Sequence, residues 1–289
     1  MALTADATTL HVPTRLGRLR VRVTGSGEPV VAWHSLFTDA RSWDRLVPLL
    51  EGRRLVLVDG PSSRGSDPLR RAVDIGVCAG AAEDLLAGLP ETLGPGPGPG
   101  PGPVSWLGSA WGGHVGLHLA ATRPDLVRDL VAVSAPTHPV GRRLRLLTSV
   151  LVPLYRVIGA RGPVREAILD TLFTDHSRAQ DPDGVAQVLD PLERAPRPAM
   201  ARAIETAILH RTDLAWAARQ ITCPVLLVTT DDRGEWTPEQ AAAMAAQMPD
   251  ARVVTIAGSR VLPSIEQPAA LAAALTAFWD GTGPRPGGE

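Results

Sequence analysis

The chain has 289 residues, 44% of them hydrophobic, and a formal net charge of -1 at pH 7. That length buries about three quarters of the unfolded surface in one large domain, and the near-neutral charge argues against a nucleic-acid partner. No lysine occurs, so all 29 basic residues are arginine, a bias that reads as composition rather than phosphate recognition.

Residues 19–24 alternate apolar and polar side chains, as a half-buried strand does, and Gly25-Ser26-Gly27 then turns the chain. Residues 30–33 and 55–58 are continuous apolar runs instead, the pattern of parallel strands covered on both faces. A helix is predicted over residues 74–89. The Gly-Pro repeat of residues 94–103 can form neither helix nor ladder and reads as a surface spacer. Residues 104–107 are a strand, 115–120 continue as a helix, and 130–134 are another buried strand. From about residue 140 to 216 no strand pattern appears. Leu144, Leu147, Val150, Leu151 and Leu154, and then Met200, Ile204, Ala207 and Ile208, recur at helical spacing. Strands over 224–230 and 252–256 and helices over 238–248 and 265–278 complete a doubly wound, mainly parallel α/β sheet. Residues 281–289 are rich in glycine and proline and are expected to be disordered.

Between the strand at 104–107 and the following helix stands Gly108-Ser109-Ala110-Trp111-Gly112. It has the outline of a nucleophile elbow, Gly-x-Ser-x-Gly, in which a strand reverses sharply into a helix and exposes its central side chain. The central residue is Ala110, whose methyl group can neither attack a carbonyl nor release a proton. Ser109 is the nearest hydroxyl, but one position along a tight turn points its side chain elsewhere.

From about residue 10 to 279 the chain resembles the α/β-hydrolase superfamily, on three stretches beside this elbow. Val30-Val31-Ala32-Trp33-His34-Ser35-Leu36-Phe37 is similar to the His-Gly loop after the third strand, with Ser35 in the usual glycine place. Residues 55–67 resemble the Asp-x-Pro-Gly-His-Gly-x-Ser segment, with Ser62-Ser63-Arg64 in place of Gly-His-Gly. Pro263-Ser264-Ile265-Glu266-Gln267-Pro268 is similar to the stretch that follows the catalytic histidine. The resemblance implies a hydrolase core over residues 1–136 and 217–280, with a helical cap over 137–216.

It also implies a Ser, acid, His triad in that order. Asp232, in Thr229-Thr230-Asp231-Asp232, holds the acid place, with Asp231 and Glu235 as alternatives. The histidine place falls on Val261, beside Arg260, and the last histidine of the chain is His210. Two triad positions, Ala110 and Val261, are therefore degenerate. The oxyanion donors are backbone groups, implied at Trp111 and near Leu36, and survive side-chain loss. Of the histidines, His34 reads as support for its loop. His138 leaves a strand at its carboxyl end, where ligands sit in such sheets. His114 and His118 read as packing, since two histidines four apart are weak evidence for a metal.

No metal or cofactor is expected. The readings left open are non-covalent acid-base chemistry by Asp232 or His138 on a small hydrophobic carbonyl compound, as in a lyase, isomerase or cyclase; a binding protein that converts nothing; and a hydrolase that activates water directly. Cys78 and Cys223 read as free thiols. Residues 1–15 carry neither a basic leader nor a long apolar run, so a cytoplasmic protein without membrane contact is expected. The sequence leaves the oligomeric state open.

Overall fold

A computed structural model describes residues 7–93 and 102–281. Most of the Gly-Pro spacer and the tail beyond Gly281 lie outside the described residues. Eight strands form one sheet in the order β1-β2-β4-β3-β5-β6-β7-β8. They are β1 (Thr8–Thr14), β2 (Gly17–Thr24), β3 (Glu28–Trp33), β4 (Arg53–Val58), β5 (Val104–Ser109), β6 (Val127–Val133), β7 (Val225–Thr230) and β8 (Ala251–Ile256). β1 and β2 form an antiparallel hairpin, β2 runs antiparallel to β4, and the remaining pairs are parallel. Alternation in residues 19–24 and near-continuous burial in β3, β5, β6 and β7 thus separate the antiparallel edge from the parallel interior, as the sequence suggests. β1 is the strand that hydrophobic patterning does not reveal, because its side chains are mostly exposed.

Each interior strand sends alternate residues to opposite faces. Val31, Trp33, Trp106, Leu130 and Leu227 pack on one side in a core shared with helix Ile75–Ala87 and helix Trp111–Thr122. Val30, Ala32, Leu107, Val131 and Val228 face the other side, beneath Trp43, Leu271, Leu275 and Phe278. Trp33 stacks on Trp106 at 6.1 Å and meets Trp111 edge-on at 6.4 Å. Pairs of this kind contribute about 0.5–1.5 kcal/mol each beyond burial.

Local chemistry sets the helix ends. Asp74 accepts from the Val77 N–H at 2.9 Å, and Thr237 with Gln240 forms a reciprocal cap ahead of Pro238. The single helix expected over 265–278 is two, Pro263–Glu266 and Pro268–Trp279. Pro268 has no N–H to continue the first and a φ suited to start the second. Between β6 and β7 the segment from Arg142 to Gln220 is helical, with a π-type turn at Glu205–Leu209. No described helix is long and apolar enough to cross a membrane. Cys78 and Cys223 are free thiols, and burial pushes both up to about 12.

Parallel register places the reacting edge. Trp33 pairs with Gly108, and Gly108 with Ala132, so β3, β5 and β6 end side by side. The loops after them open on one cavity.

Candidate active site

The elbow is fully formed around Ala110. Its backbone sits at φ 44° and ψ -104°, its N–H donates to the Val133 carbonyl at 2.7 Å, and its carbonyl accepts from the His114 N–H at 2.9 Å. Gly108 and Gly112 make the turn possible, since a Cβ on either would lie 2.1–2.2 Å from a backbone oxygen. The Ser109 side chain is buried and is not part of the cavity wall.

Non-glycine residues with positive φ are uncommon and collect at functional sites. Among the described residues they are Phe37, Ser62, Ala110, Ser134 and Arg233, and all but Ser62 line the same cavity. Such backbone strain is of order 1–3 kcal/mol per residue. Glycine adopts Ala110's conformation freely, while its greater freedom in the unfolded chain offsets about 0.5–1 kcal/mol. Ala110→Gly is therefore expected to stabilise the protein by about 1 kcal/mol, read as a higher midpoint of denaturant unfolding with an unchanged slope.

The cavity has a volume of about 350 Å³, within the small-molecule range. Ser35, Leu36, Phe37 and Trp111 form its elbow end, and Leu144, Leu172, Ala207 and Ile208 from the helical segment form an apolar side. The backbone N–H groups of Leu36 and Phe37 make no loop hydrogen bond to a backbone carbonyl among the described residues, and Trp111 opens the helix Trp111–Thr122, where the first N–H groups have no partner within the helix. His34 supports this loop from beneath: its Nε2 accepts from the Gly60 N–H at 2.8 Å, so its Nδ1 donates to the Ser35 carbonyl at 2.7 Å.

The acid end is occupied differently from a triad. The Asp232 carboxylate accepts from Arg260 Nη2 at 2.7 Å and from Nε at 3.1 Å, and the Arg260 side chain is 3% exposed. Arg260 also donates to the Asp170 carbonyl, and its own N–H donates to Glu266 at 2.9 Å. Val261, at the histidine place, lines the cavity and donates its N–H to Leu172 at 3.3 Å. Burial alone would raise the Asp232 pKa, but the hydrogen bond and charge of Arg260, assisted by Arg233, outweigh it and hold the carboxyl below its ordinary value. Of the alternatives, Asp231 accepts from the Gly258 N–H at 2.8 Å and Glu235 pairs with Arg211.

His138 is half-buried, its Nδ1 lies 3.1 Å from the Pro139 carbonyl, and it is outside the cavity wall. His118 meets Trp216 edge-on at 5.5 Å. His114, read from sequence as packing, lines the cavity, and so do Ser134 and Arg211. Ser134 was within reach of sequence reasoning, because it leaves a parallel strand beside the elbow at the end where ligands bind. Arg211 comes from the helical segment, where no spacing signal marks it.

The model of the alpha/beta hydrolase family matches residues 30–274, and the chain belongs to that family. It is 27% identical over 292 residues to a 2-(acetamidomethylene)succinate hydrolase of Mesorhizobium japonicum, covering 97% of this chain and all of that one. Among solved structures it is similar to a thermophilic esterase from Thermogutta terrifontis, with TM-score 0.83, 20% identity, and 96% and 99% of the two chains covered. An enol-lactonase from Burkholderia xenovorans gives TM-score 0.81 at 19% identity, with 94% and 100% covered.

Proposed function

We propose that the protein binds a small, hydrophobic, carbonyl-containing molecule without forming an acyl-enzyme, the serine chemistry of its family having been lost. The observation that carries this reading is Ala110 at the turn of an intact elbow, on a cavity that is also lined by Leu36 and Trp111, where the family resemblance puts the oxyanion donors. Hydrogen bonds from those donors to a carbonyl oxygen need no nucleophile. Asp232 is committed to Arg260, and His138 stands off the cavity wall, so holding the ligand is favoured over acid-base turnover by that pair. The relatives are named for hydrolysis, whereas the elbow of this chain carries a methyl group where the family resemblance implies a nucleophile. Arg211, Arg233 and Arg260 each already face a carboxylate, so the dicarboxylate of the Mesorhizobium enzyme's name is not carried over.

The test is labelling with a serine-directed phosphonofluoridate, together with turnover of short and medium acyl esters. The natural protein is expected to stay unlabelled and to hydrolyse no ester above buffer. An Ala110→Ser/Arg260→Gly/Val261→His variant is expected to label and to turn over slowly, because removing the Arg260 side chain frees Asp232 to orient an imidazole. Ester turnover by the natural protein that a bulky cavity substitution abolishes would overturn the proposal in favour of direct water activation.

A further inference from the structure

Three polar side chains of the cavity have no part in the reading above. His114 is 3% exposed and Arg211 is 5% exposed. His114 Nε2 lies 3.1 Å from the Pro136 carbonyl oxygen. A carbonyl only accepts, so Nε2 carries the hydrogen and Nδ1 presents a lone pair. Burial, then the charge of Arg211, holds the imidazole pKa well below its ordinary value, and the ring is neutral. Nδ1 finds no donor among the described residues. Arg211 places both terminal nitrogens on Glu235, which leaves Nε–H without an acceptor. The Ser134 hydroxyl, on a residue at φ 49°, is likewise unpartnered.

Buried polar groups are ordinarily satisfied, and these three unpartnered atoms belong to side chains that line the one cavity. We propose that His114, Ser134 and Arg211 form a subsite for a hydroxyl group on the same ligand whose carbonyl meets the elbow donors. This rests on the binding reading above. A hydroxyl gives its hydrogen to Nδ1 and accepts from the Arg211 Nε–H, and Ser134 serves either role. A carboxylate has no hydrogen for Nδ1, and the fork of Arg211 that would grip it is taken by Glu235. A second carbonyl would satisfy Arg211 and leave Nδ1 empty. The ligand class is thus a small apolar hydroxy-carbonyl compound.

Octan-2-one and its monohydroxylated isomers test this on the full chain, since ketones bind without being hydrolysed. Dissociation constants from ligand-observed NMR are expected to favour at least one hydroxy isomer over octan-2-one by about tenfold, the worth of one well-made hydrogen bond. In His114→Leu that preference is expected to shrink severalfold, and Ser134→Ala, the gentler change, reads the same effect should His114→Leu fold poorly. Binding of octan-2-one with no preference for any hydroxy isomer overturns the subsite and leaves the carbonyl reading standing. No binding of any ketone overturns both. A preference that persists in both variants places the hydroxyl elsewhere and overturns the assignment.

Discussion

Replacing Gly112 by alanine is expected to lower stability by about 4 kcal/mol or more, at the upper end of what single substitutions do. The added Cβ would lie 2.1 Å from the Trp33 carbonyl oxygen and 2.6 Å from its carbonyl carbon. Neither partner can step aside. Trp33 is the last residue of β3, held in register between β4 and β5, and its ring is fully buried against Trp106. The neighbouring Gly108 meets the same obstacle from the other side, where its Cβ would approach the Gly112 carbonyl. A loss of that size corresponds to a melting temperature about 10 °C lower. Gly141, with open space where its Cβ would be, is the control: Gly141→Ala is expected within about 0.5 kcal/mol of the parent. Thermal unfolding of the two variants decides the matter, and equal melting points would mean that the elbow is not packed as described.

Asp232→Ala is expected to cost about 3 kcal/mol at neutral pH, through its ion pair and not through the acid role that the family resemblance implies. The variant strips a guanidinium that is 3% exposed of its bidentate partner, while the partner itself is 31% exposed and partly hydrated. Arg260 keeps the Asp170 carbonyl and the carboxylates of Asp170 and Asp175 at 3.5 and 3.7 Å, which places the loss at the lower end of the range for a broken buried pair. Arg260→Met combined with Asp232→Ala is expected to cost less than the sum of the single changes by about 1–3 kcal/mol. The pH dependence has a fixed sign. The folded-state pKa of Asp232 is depressed, so its contribution is fully present above the unfolded value of about 3.9 and is lost as pH falls through the lower folded value. Denaturant titrations of the parent and Asp232→Ala should therefore lie a constant distance apart from pH 7 to 5 and converge in stronger acid. A gap that is absent at neutral pH would show that the pair does not form in solution.

The fold was legible because its interior strands are buried on both faces and interrupted by glycine and proline. Residues 30–33, 55–58 and 224–230 could hardly be anything but parallel strands. The elbow was legible down to Ala110 at its centre, since Gly108 and Gly112 are required by backbone contacts that do not depend on the central side chain. The acid and histidine places came from the family resemblance, Asp232 by the strand it follows and Val261 by counting back from the stretch 263–268. What lies between them did not. Nothing in a one-dimensional pattern says that the Arg260 side chain turns towards Asp232, because that contact joins residues 28 apart across two loops. The His114, Ser134 and Arg211 cluster escaped for the same reason. Each residue sits on a different element, and their common property, an unused hydrogen-bonding atom, exists only once the chain is folded.

Arg260 joins more than an acid to its loop. It emerges after β8, grips Asp232 after β7 and reaches the Asp170 carbonyl in the helical segment, while Glu266 secures its backbone and accepts from Thr174 at 2.8 Å. The helices above the cavity are thereby riveted to the sheet at its rim. To swing away they would have to give up both the Asp170 and the Thr174 hydrogen bonds to this loop. A molecule held in the cavity is therefore expected to exchange without a hinge motion of these helices.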